Sequence, residues 1–136
     1  MKIIKDSIEL KTIQRLQLLN ISSQLERAVK SSGIKEGIIS VFTRHSTSGI
    51  IINENEPRLL GDIENTLERL IPEIEVYGHN SIDNNADSHL KAVFLGGSQT
   101  IPIENNQMDL GTWQSIFFVE LDGPRNRKVK ITLMGQ

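Results

Sequence analysis

The part of the chain that follows Gly97 contains one short apolar segment after another, each separated from the next by turn-forming residues. Segments rich in β-branched and aromatic side chains are typical of strands, whereas the interruptions carry the Asn, Asp, Gly and Pro of tight turns. The predicted strands of this part cover residues 99–103, 107–110, 112–121 and 128–134. Short strands with frequent turn signals predict an antiparallel sheet, and this constrains the fold more than any other feature.

The first 97 residues mix the periods of strands and helices. Strands are predicted over residues 2–10, 14–21, 37–43 and 50–52, with a turn at 11–12. Three helices are predicted, beginning near residues 23, 55 and 86. The predicted class is therefore α+β, with a mainly antiparallel sheet and about three helices in a single domain of residues 1–136.

Local signals predict the ends of the first two helices. Ser23 with Glu26 three residues later matches a capping box, and Gly33 is the expected stop of the first helix. Asn55 is the predicted cap of the second helix, which Pro72 should end.

The third helix follows a loop rich in Asn and Asp. Asn85 or Asp87 is expected to cap it. Its apolar residues Leu90, Val93 and Phe94 are expected to face the core.

Composition excludes several classes of function. The net charge is −2, and the one short basic run, at 125–128, is expected at a charged hairpin tip, so no nucleic-acid partner is predicted. No apolar run is long enough to cross a membrane, so no membrane partner is predicted. Because the chain has no cysteine, thiol nucleophiles and zinc–thiolate sites are excluded, and a cytoplasmic location is expected. A phosphorylated small molecule remains a possible ligand, since a local site can be basic on a nearly neutral protein.

The stretch between the third and fourth predicted strands combines one cation, one imidazole and three hydroxyls: Arg44, His45, Ser46, Thr47 and Ser48. Its hydroxyls and successive backbone N–H groups can hold a phosphate or another anion. The alternative is a simple bend whose hydroxyls bond the local backbone. The Gly-x-Ser-x-Gly pattern of a hydrolase nucleophile is absent.

Acidic and amide side chains follow the fourth predicted strand. Glu56 lies at a helix start, where a carboxylate is favoured by the helix dipole without any further function. Glu54 is more open, because it follows the strand and can reach the same face as His45 as a ligand or base.

The Asn/Asp-rich loop and the third helix carry the other two histidines, His79 and His89. Their spacing is a weak metal signal by itself, but an imidazole can bind a metal or move a proton near neutral pH. Asp87 lies near the helix start, where an anionic substrate also binds favourably; the alternative is a plain cap. We expect this segment to form the floor of an active site that His45 approaches from another strand.

Two more residues stand out near the predicted seventh strand. Trp113, the only tryptophan, is either a core residue or the wall of a pocket that stacks a heteroaromatic ring. Glu120 is a carboxylate among apolar neighbours and is either on the outer face or a site residue.

Five motifs, in this order and spacing, resemble the YjbQ-like family, which is often labelled secondary thiamine-phosphate synthase. They are His45–Gly49, Ile52–Glu56, Asn85–Lys91, Gly111–Gln114 and Phe118–Glu120. The likeness covers nearly the whole chain, and the motifs are specific jointly rather than singly. One difference is that the family often has His-Thr-Ser at the first motif, whereas this chain has His-Ser-Thr-Ser.

The resemblance implies a β-sandwich-like core, a homotrimer with sites near subunit boundaries, and a weak thiamine-phosphate synthase activity beside a different main role. Some family members hold a metal ion at their histidines. This implies a divalent ion, zinc or magnesium, at the candidate ligands His45, His79 and His89.

The resulting hypothesis is a transferase that joins an aminopyrimidine diphosphate to a thiazole phosphate. Its candidate catalytic residues are Asp87, His89, Glu54 and Glu120, and its candidate substrate-binding residues are Arg44, Ser46, Thr47, Ser48, Asn53, Lys91 and Trp113. The alternatives are a metal-dependent hydrolase of a small phosphorylated molecule and a non-enzymatic trimer that binds a metal or metabolite.

Overall fold

The computed structural model describes all 136 residues. Its strands are β1 (Lys2–Lys11), β2 (Gln17–Asn20), β3 (Gly37–Thr43), β4 (Ser48–Asn53), β5 (Ser98–Glu104), β6 (Gln107–Met108), β7 (Ser115–Glu120) and β8 (Asn126–Gly135). Its α-helices are α1 (Ser22–Ser32), α2 (Pro57–Leu70) and α3 (Ala86–Leu95), and a 3₁₀ turn covers Gly78–Ser81. No helix is long and apolar enough to cross a membrane.

The strands form two sheets, and every paired strand is antiparallel to its neighbours. The larger sheet has the order β1-β8-β3-β5-β6, and the smaller has the order β2-β7-β4. The predicted α+β class with a sandwich-like arrangement and three helices is therefore confirmed.

The core lies on both sides of the smaller sheet. Ile116 and Phe118 of β7 pack in the main apolar cluster with β3, β5, β8 and α1, whereas Val119 packs on the other face in a small cluster with side chains of α2 and α3. A strand that is covered on both faces needs apolar residues without alternation. This explains the continuous apolar run that precedes Glu120.

Two predicted helix caps are wrong. The Ser23 hydroxyl hydrogen-bonds the neighbouring Gln24 side chain instead of a backbone N–H, so α1 has no capping box. The cap of α2 is Glu56 rather than Asn55, because its carboxylate accepts a hydrogen bond from a first-turn backbone N–H. The stop of α1 at Gly33 is confirmed, with a φ of 69° that suits glycine.

Several predicted strand ends also differ. β1 continues through Lys11, where a turn was predicted, and β2 is only four residues long. β7 begins at Ser115, so Trp113 lies in the preceding turn with 72% of its surface exposed. The tryptophan is therefore not a core residue.

The prediction for the inward face of α3 is wrong. Val93 and Phe94 are 77% and 79% exposed, and Leu90 is also exposed. The residues that α3 buries are Ala86, Asp87, Ser88 and Lys91. Polar side chains can be buried when each has a partner, and this helix is oriented by charged partners from distant parts of the chain.

Candidate functional site

The hydroxyl groups of the turn between β3 and β4 hydrogen-bond mostly to neighbouring groups of the chain. The side chain of Ser48 hydrogen-bonds that of Thr43 at 2.8 Å and donates to the carbonyl of His45 at 3.0 Å. The side chain of Thr47 is buried and accepts from Nη2 of Arg127 at 2.9 Å. Of the three hydroxyls predicted to bind substrate, only that of Ser46 is exposed and free of partners within the chain.

His45 follows the point where β3 leaves the larger sheet. Nε2 of His45 accepts a hydrogen bond from the backbone N–H of Lys128 at 3.0 Å, replacing the partner that β3 no longer offers to β8. Burial and the guanidinium of Arg127 lower the pKa of His45, and Arg44 adds to this effect. The ring is therefore neutral at pH 7 and carries its hydrogen on Nδ1, which is free to donate.

A groove runs between this turn and α3, and we call it the helix groove. Its polar lining comes from Thr43, Arg44, His45, Ser46, Ser48 and His89, and its volume is about 370 Å³. It includes a guanidinium and two imidazoles but no carboxylate. The volume is within the range of small-molecule sites, and the charge suits an anion.

His79 and His89 lie next to each other, and of the two only His89 lines this groove. Their rings meet edge to face with centroids 4.9 Å apart. Nε2 of His79 lies 3.0 Å from Oδ1 of Asn85, whose amide group donates to Asp122 at 2.8 Å. Since Oδ1 can only accept, Nε2 of His79 is the donor in this contact.

Asp122 completes this chain of contacts. Burial raises the pKa of its carboxyl, but hydrogen bonds from Asn85 and Arg125 outweigh burial, so that the pKa lies below its usual value. A charged Asp122 fixes the amide of Asn85, which in turn orients His79. Partners of this kind commonly orient functional histidines.

The predicted three-histidine metal site does not fit the side chains of one chain. No three His, Asp or Glu residues are grouped to hold a metal ion. In addition, Nε2 of His45 already accepts from a backbone N–H, so this ring is arranged as a donor. The chain brings together His79 with His89, and His89 with His45, but not all three around one point.

Asp87 and Lys91, predicted to be catalytic and substrate-binding, are only 1% and 3% exposed. Their side chains form an ion pair at 2.8 Å, and Asp87 also pairs with Arg15 at 3.1 Å. Lys91 reaches Glu68 of α2 at 3.0 Å. Burial raises the pKa of Glu68, but the backbone N–H of Glu73 and the ammonium of Lys91 lower it by more, so that the pKa lies below its usual value. These contacts hold α3 in place and leave neither group open to a ligand.

Glu120 is fully buried, with 0% of its surface exposed. It forms an ion pair with Arg127 and accepts from Oγ1 of Thr12 at 2.7 Å and from the backbone N–H groups of Leu121 and Asp122 at 3.0 and 3.1 Å. Burial raises the pKa of this carboxyl, but the hydrogen bonds from Arg127, Thr12 and the backbone outweigh burial and hold the pKa below its usual value. The catalytic role of Glu120 stays a prediction, and its contacts favour a positioning role.

Asn53, Glu54 and Trp113 lie at the opposite end of the smaller sheet. β4 pairs with β7 so that Ser48 faces Glu120 at one end and Asn53 faces Ser115 at the other. At about 3.4 Å per residue, the ends of this strand are about 17 Å apart. Within one chain these residues therefore do not join the helix groove.

Sequence reasoning missed Arg15 and Arg127. Arg127 was expected at a hairpin tip but is buried, because it has the inward alternation of Val129, Ile131 and Leu133 in β8. The period of two along this strand was a signal that could have found it. No local signal marks Arg15, whose partner Asp87 is 72 residues away in the sequence.

A sequence profile of the family described as UPF0047 protein YjbQ-like matches residues 6–136. A UPF0047 protein of Methanothermobacter thermautotrophicus is 57% identical over all of this chain and 95% of its own length. The UPF0047 protein YugU of Bacillus subtilis is 35% identical over 95% of this chain and 98% of its own length.

Solved structures of related proteins have the same fold as this chain. A YbjQ-like protein of unknown function from Sulfolobus solfataricus has a TM-score of 0.98 at 40% identity, with 99% of both chains covered. An uncharacterized conserved protein of Clostridium acetobutylicum, described as an orthologue of YugU, has a TM-score of 0.91 at 40% identity, with 95% of this chain and 99% of that chain covered.

Proposed function

Because the chain belongs to the YjbQ-like UPF0047 family, we propose that it binds a small phosphorylated molecule in the helix groove and has the thiamine-phosphate synthase activity that the family resemblance implies. In this reaction an aminopyrimidine diphosphate is joined to a thiazole phosphate and pyrophosphate is released. We also propose that this activity is weak and that the protein has a different main role.

The observation that carries the proposal is the charge of the helix groove. Arg44 supplies a permanent cation, and Nδ1 of the neutral His45 supplies a hydrogen-bond donor. Ser46 also lines the groove, and its backbone N–H has no acceptor within the chain. Donors that line one groove without a carboxylate favour a phosphate or diphosphate.

The chemistry requires stabilisation of a leaving anion. The bond between the pyrimidine methylene carbon and the diphosphate oxygen breaks, and its electron pair leaves with pyrophosphate. The thiazole nitrogen then forms the new bond to that carbon. Donors that are fixed around the leaving oxygens stabilise the developing charge, and this is the role we assign to Arg44, His45 and the turn.

The apolar and aromatic depression beside His89 is the proposed place of the pyrimidine ring. It is lined by Tyr77, His79, His89 and Leu90 and adjoins the helix groove at His89. Flat rings and an aliphatic side chain suit a heteroaromatic ligand. Trp113, which is remote within one chain, takes part only if another subunit brings it here.

A homotrimer belongs to this proposal. The exposed apolar face of α3, with Val93 and Phe94, borders the helix groove and is suited to contact with another subunit. Such a contact can also supply Asn53 and Glu54 of a neighbour. A cytoplasmic location is proposed as well, in agreement with the absence of cysteine.

The test is incubation of the purified protein with both precursors, with and without Mg²⁺, followed by measurement of thiamine phosphate and pyrophosphate. Arg44→Gln should reduce product formation at least about tenfold, the effect expected of one lost charge-assisted contact. Arg69→Gln, which removes an exposed charge from α2, is the matched control.

The outcomes distinguish the alternatives. Unchanged product formation in His89→Ala contradicts the assigned site. Release of inorganic phosphate without coupling indicates the hydrolase, and ligand-induced thermal stabilisation without turnover indicates a non-enzymatic binding protein. A requirement for Mg²⁺ supports the divalent ion that the resemblance implies.

A further inference from the structure

A second depression lies on the other side of His45 and is separate from the helix groove. We call it the strand-end depression. It has a volume of about 500 Å³ and is lined by Glu9, Leu10, Lys11, His45, Asn126 and Lys128, together with the buried Arg127. His45 is the one residue that lines both depressions.

The local topology creates this depression. β1 and β8 remain paired as far as Lys11 and Asn126, whereas β3 last pairs with β8 at Thr43 and Val129. Beyond that point the β8 backbone has lost its neighbour on one side, and the imidazole of His45 occupies part of the space. The depression therefore follows from the strand pairing at this sheet edge, and one of its walls is the imidazole of His45, which is hydrogen-bonded to the backbone of Lys128.

The free charge of the strand-end depression is positive. Lys11 and Lys128 contribute two ammonium groups, whereas the charge of Arg127 is neutralised by its ion pair with Glu120. Glu9 is the one carboxylate in the lining; its side chain is 80% exposed and lies 4.0 Å from Lys128, the limit of an ion pair. An exposed pair of this kind is weak and is readily replaced by a phosphate.

We infer that the strand-end depression binds the phosphate monoester of a second substrate, of the thiazole phosphate class, while the helix groove binds the diphosphate of the first. The two anions then lie on either side of one neutral imidazole. This inference rests on the proposed function, because it assigns the acceptor substrate of that reaction to a place.

Two sites meet a requirement that the helix groove alone does not. A transferase must bind two phosphorylated ligands close together although their negative charges repel each other, and two separate basic sites make this possible. A neutral histidine that is fixed by the backbone of Lys128 can stand between them, because its orientation does not depend on either ligand.

The experiment measures binding of each ligand separately to the full chain, by calorimetry and by amide shifts in NMR spectra. The double variant Lys11→Gln/Lys128→Gln should weaken binding of thiazole phosphate, and of inorganic phosphate as a simple probe, at least about tenfold. Its binding of aminopyrimidine diphosphate should change less than about twofold. Arg44→Gln should weaken binding of the aminopyrimidine diphosphate and leave binding of the thiazole phosphate nearly unchanged.

The matched control is Lys5→Gln/Lys130→Gln, which removes two exposed lysines of the same two strands that do not line the depression. It should change neither affinity. Amide shifts at Lys11, Asn126 and Lys128 on addition of inorganic phosphate should locate the site in the wild-type chain.

The results separate this inference from the proposed function. Tight diphosphate binding with thiazole phosphate affinity unaffected by the lysine variants overturns the strand-end site and leaves the proposed function standing. Phosphate shifts at the strand-end residues without any coupling of the two precursors support the anion site and contradict the synthase activity. Absence of phosphate shifts at these residues overturns the inference directly.

Discussion

Replacement of Glu120 by Gln tests whether the buried ion pair with Arg127 stabilises the part of the fold next to the candidate site. The carboxylate is fully buried and accepts from Arg127, Thr12 and two backbone N–H groups. Gln keeps one acceptor oxygen but removes the charge that compensates the guanidinium. Leaving one member of a buried ion pair alone typically costs about 3–5 kcal/mol. We therefore expect the free energy of unfolding at pH 7 to fall by this amount.

The assay is urea unfolding of the wild type and the variant, with Glu104→Gln as the control. Glu104 is exposed and has no ion-pair partner, so its replacement should change the free energy of unfolding by about 0.5 kcal/mol or less. The double variant Glu120→Gln/Arg127→Met should be more stable than Glu120→Gln alone, because it no longer buries an uncompensated charge.

The pH dependence gives a second readout. Since hydrogen bonds lower the pKa of Glu120 in the folded chain, its contribution is present above the pKa of an unfolded carboxyl and is lost as the pH falls through the folded pKa. The stability difference between wild type and Glu120→Gln should therefore shrink in acid. A loss below about 1 kcal/mol at pH 7, or a double variant no more stable than the single one, refutes this reasoning.

Three further predictions concern the groove and its neighbourhood. Because burial and Arg127 lower the pKa of His45, less than half of this ring should be protonated at pH 6.5 in the folded protein, and its contribution to stability should be lost as the pH falls through the folded pKa. Half-protonation at pH 6.5 or above in ¹⁵N shifts contradicts this. If this face forms the proposed subunit interface, Phe94→Glu should change subunit stability by about 0.5 kcal/mol or less but weaken self-association in light scattering. Unaltered self-association rules out this face as the interface. Gly49→Ala should cost about 1–3 kcal/mol in urea unfolding, because the new methyl meets Cβ of Leu95 at 2.9 Å. Gly61→Ala, which meets nothing within 4 Å, should be neutral or stabilising, and equal effects of the two substitutions refute the packing argument.

Much of the fold could be predicted because its signals are local. The alternation in β8, the β-branched run of β3 and the glycine after α1 each report the conformation of a few neighbouring residues. The strand ends and caps were less certain, since Ser23 and Asn55 are good caps whose place was taken by other contacts.

The candidate site was predicted in part. The histidines at 45 and 89 do border one groove, as their place next to turn-forming and hydroxyl-bearing residues indicated. The polar residues of α3 were assigned to chemistry, although Asp87 and Lys91 are buried against Arg15 and Glu68. A polar residue type indicates that a partner is needed, but it does not say whether that partner is a ligand or a distant side chain.

The sequence by itself determined most of the secondary-structure elements, the α+β class and the family, because backbone preferences and motif spacing are properties of adjacent residues. Only the tertiary structure decided which charges are buried in pairs, that α3 turns its apolar face outward, and that Asn53 lies about 17 Å along the sheet from Ser48, at the end where Trp113 precedes β7. The physical reason is that burial of a charge depends on a compensating group at contact distance. That group can be 72 residues away in the chain, as Arg15 is from Asp87.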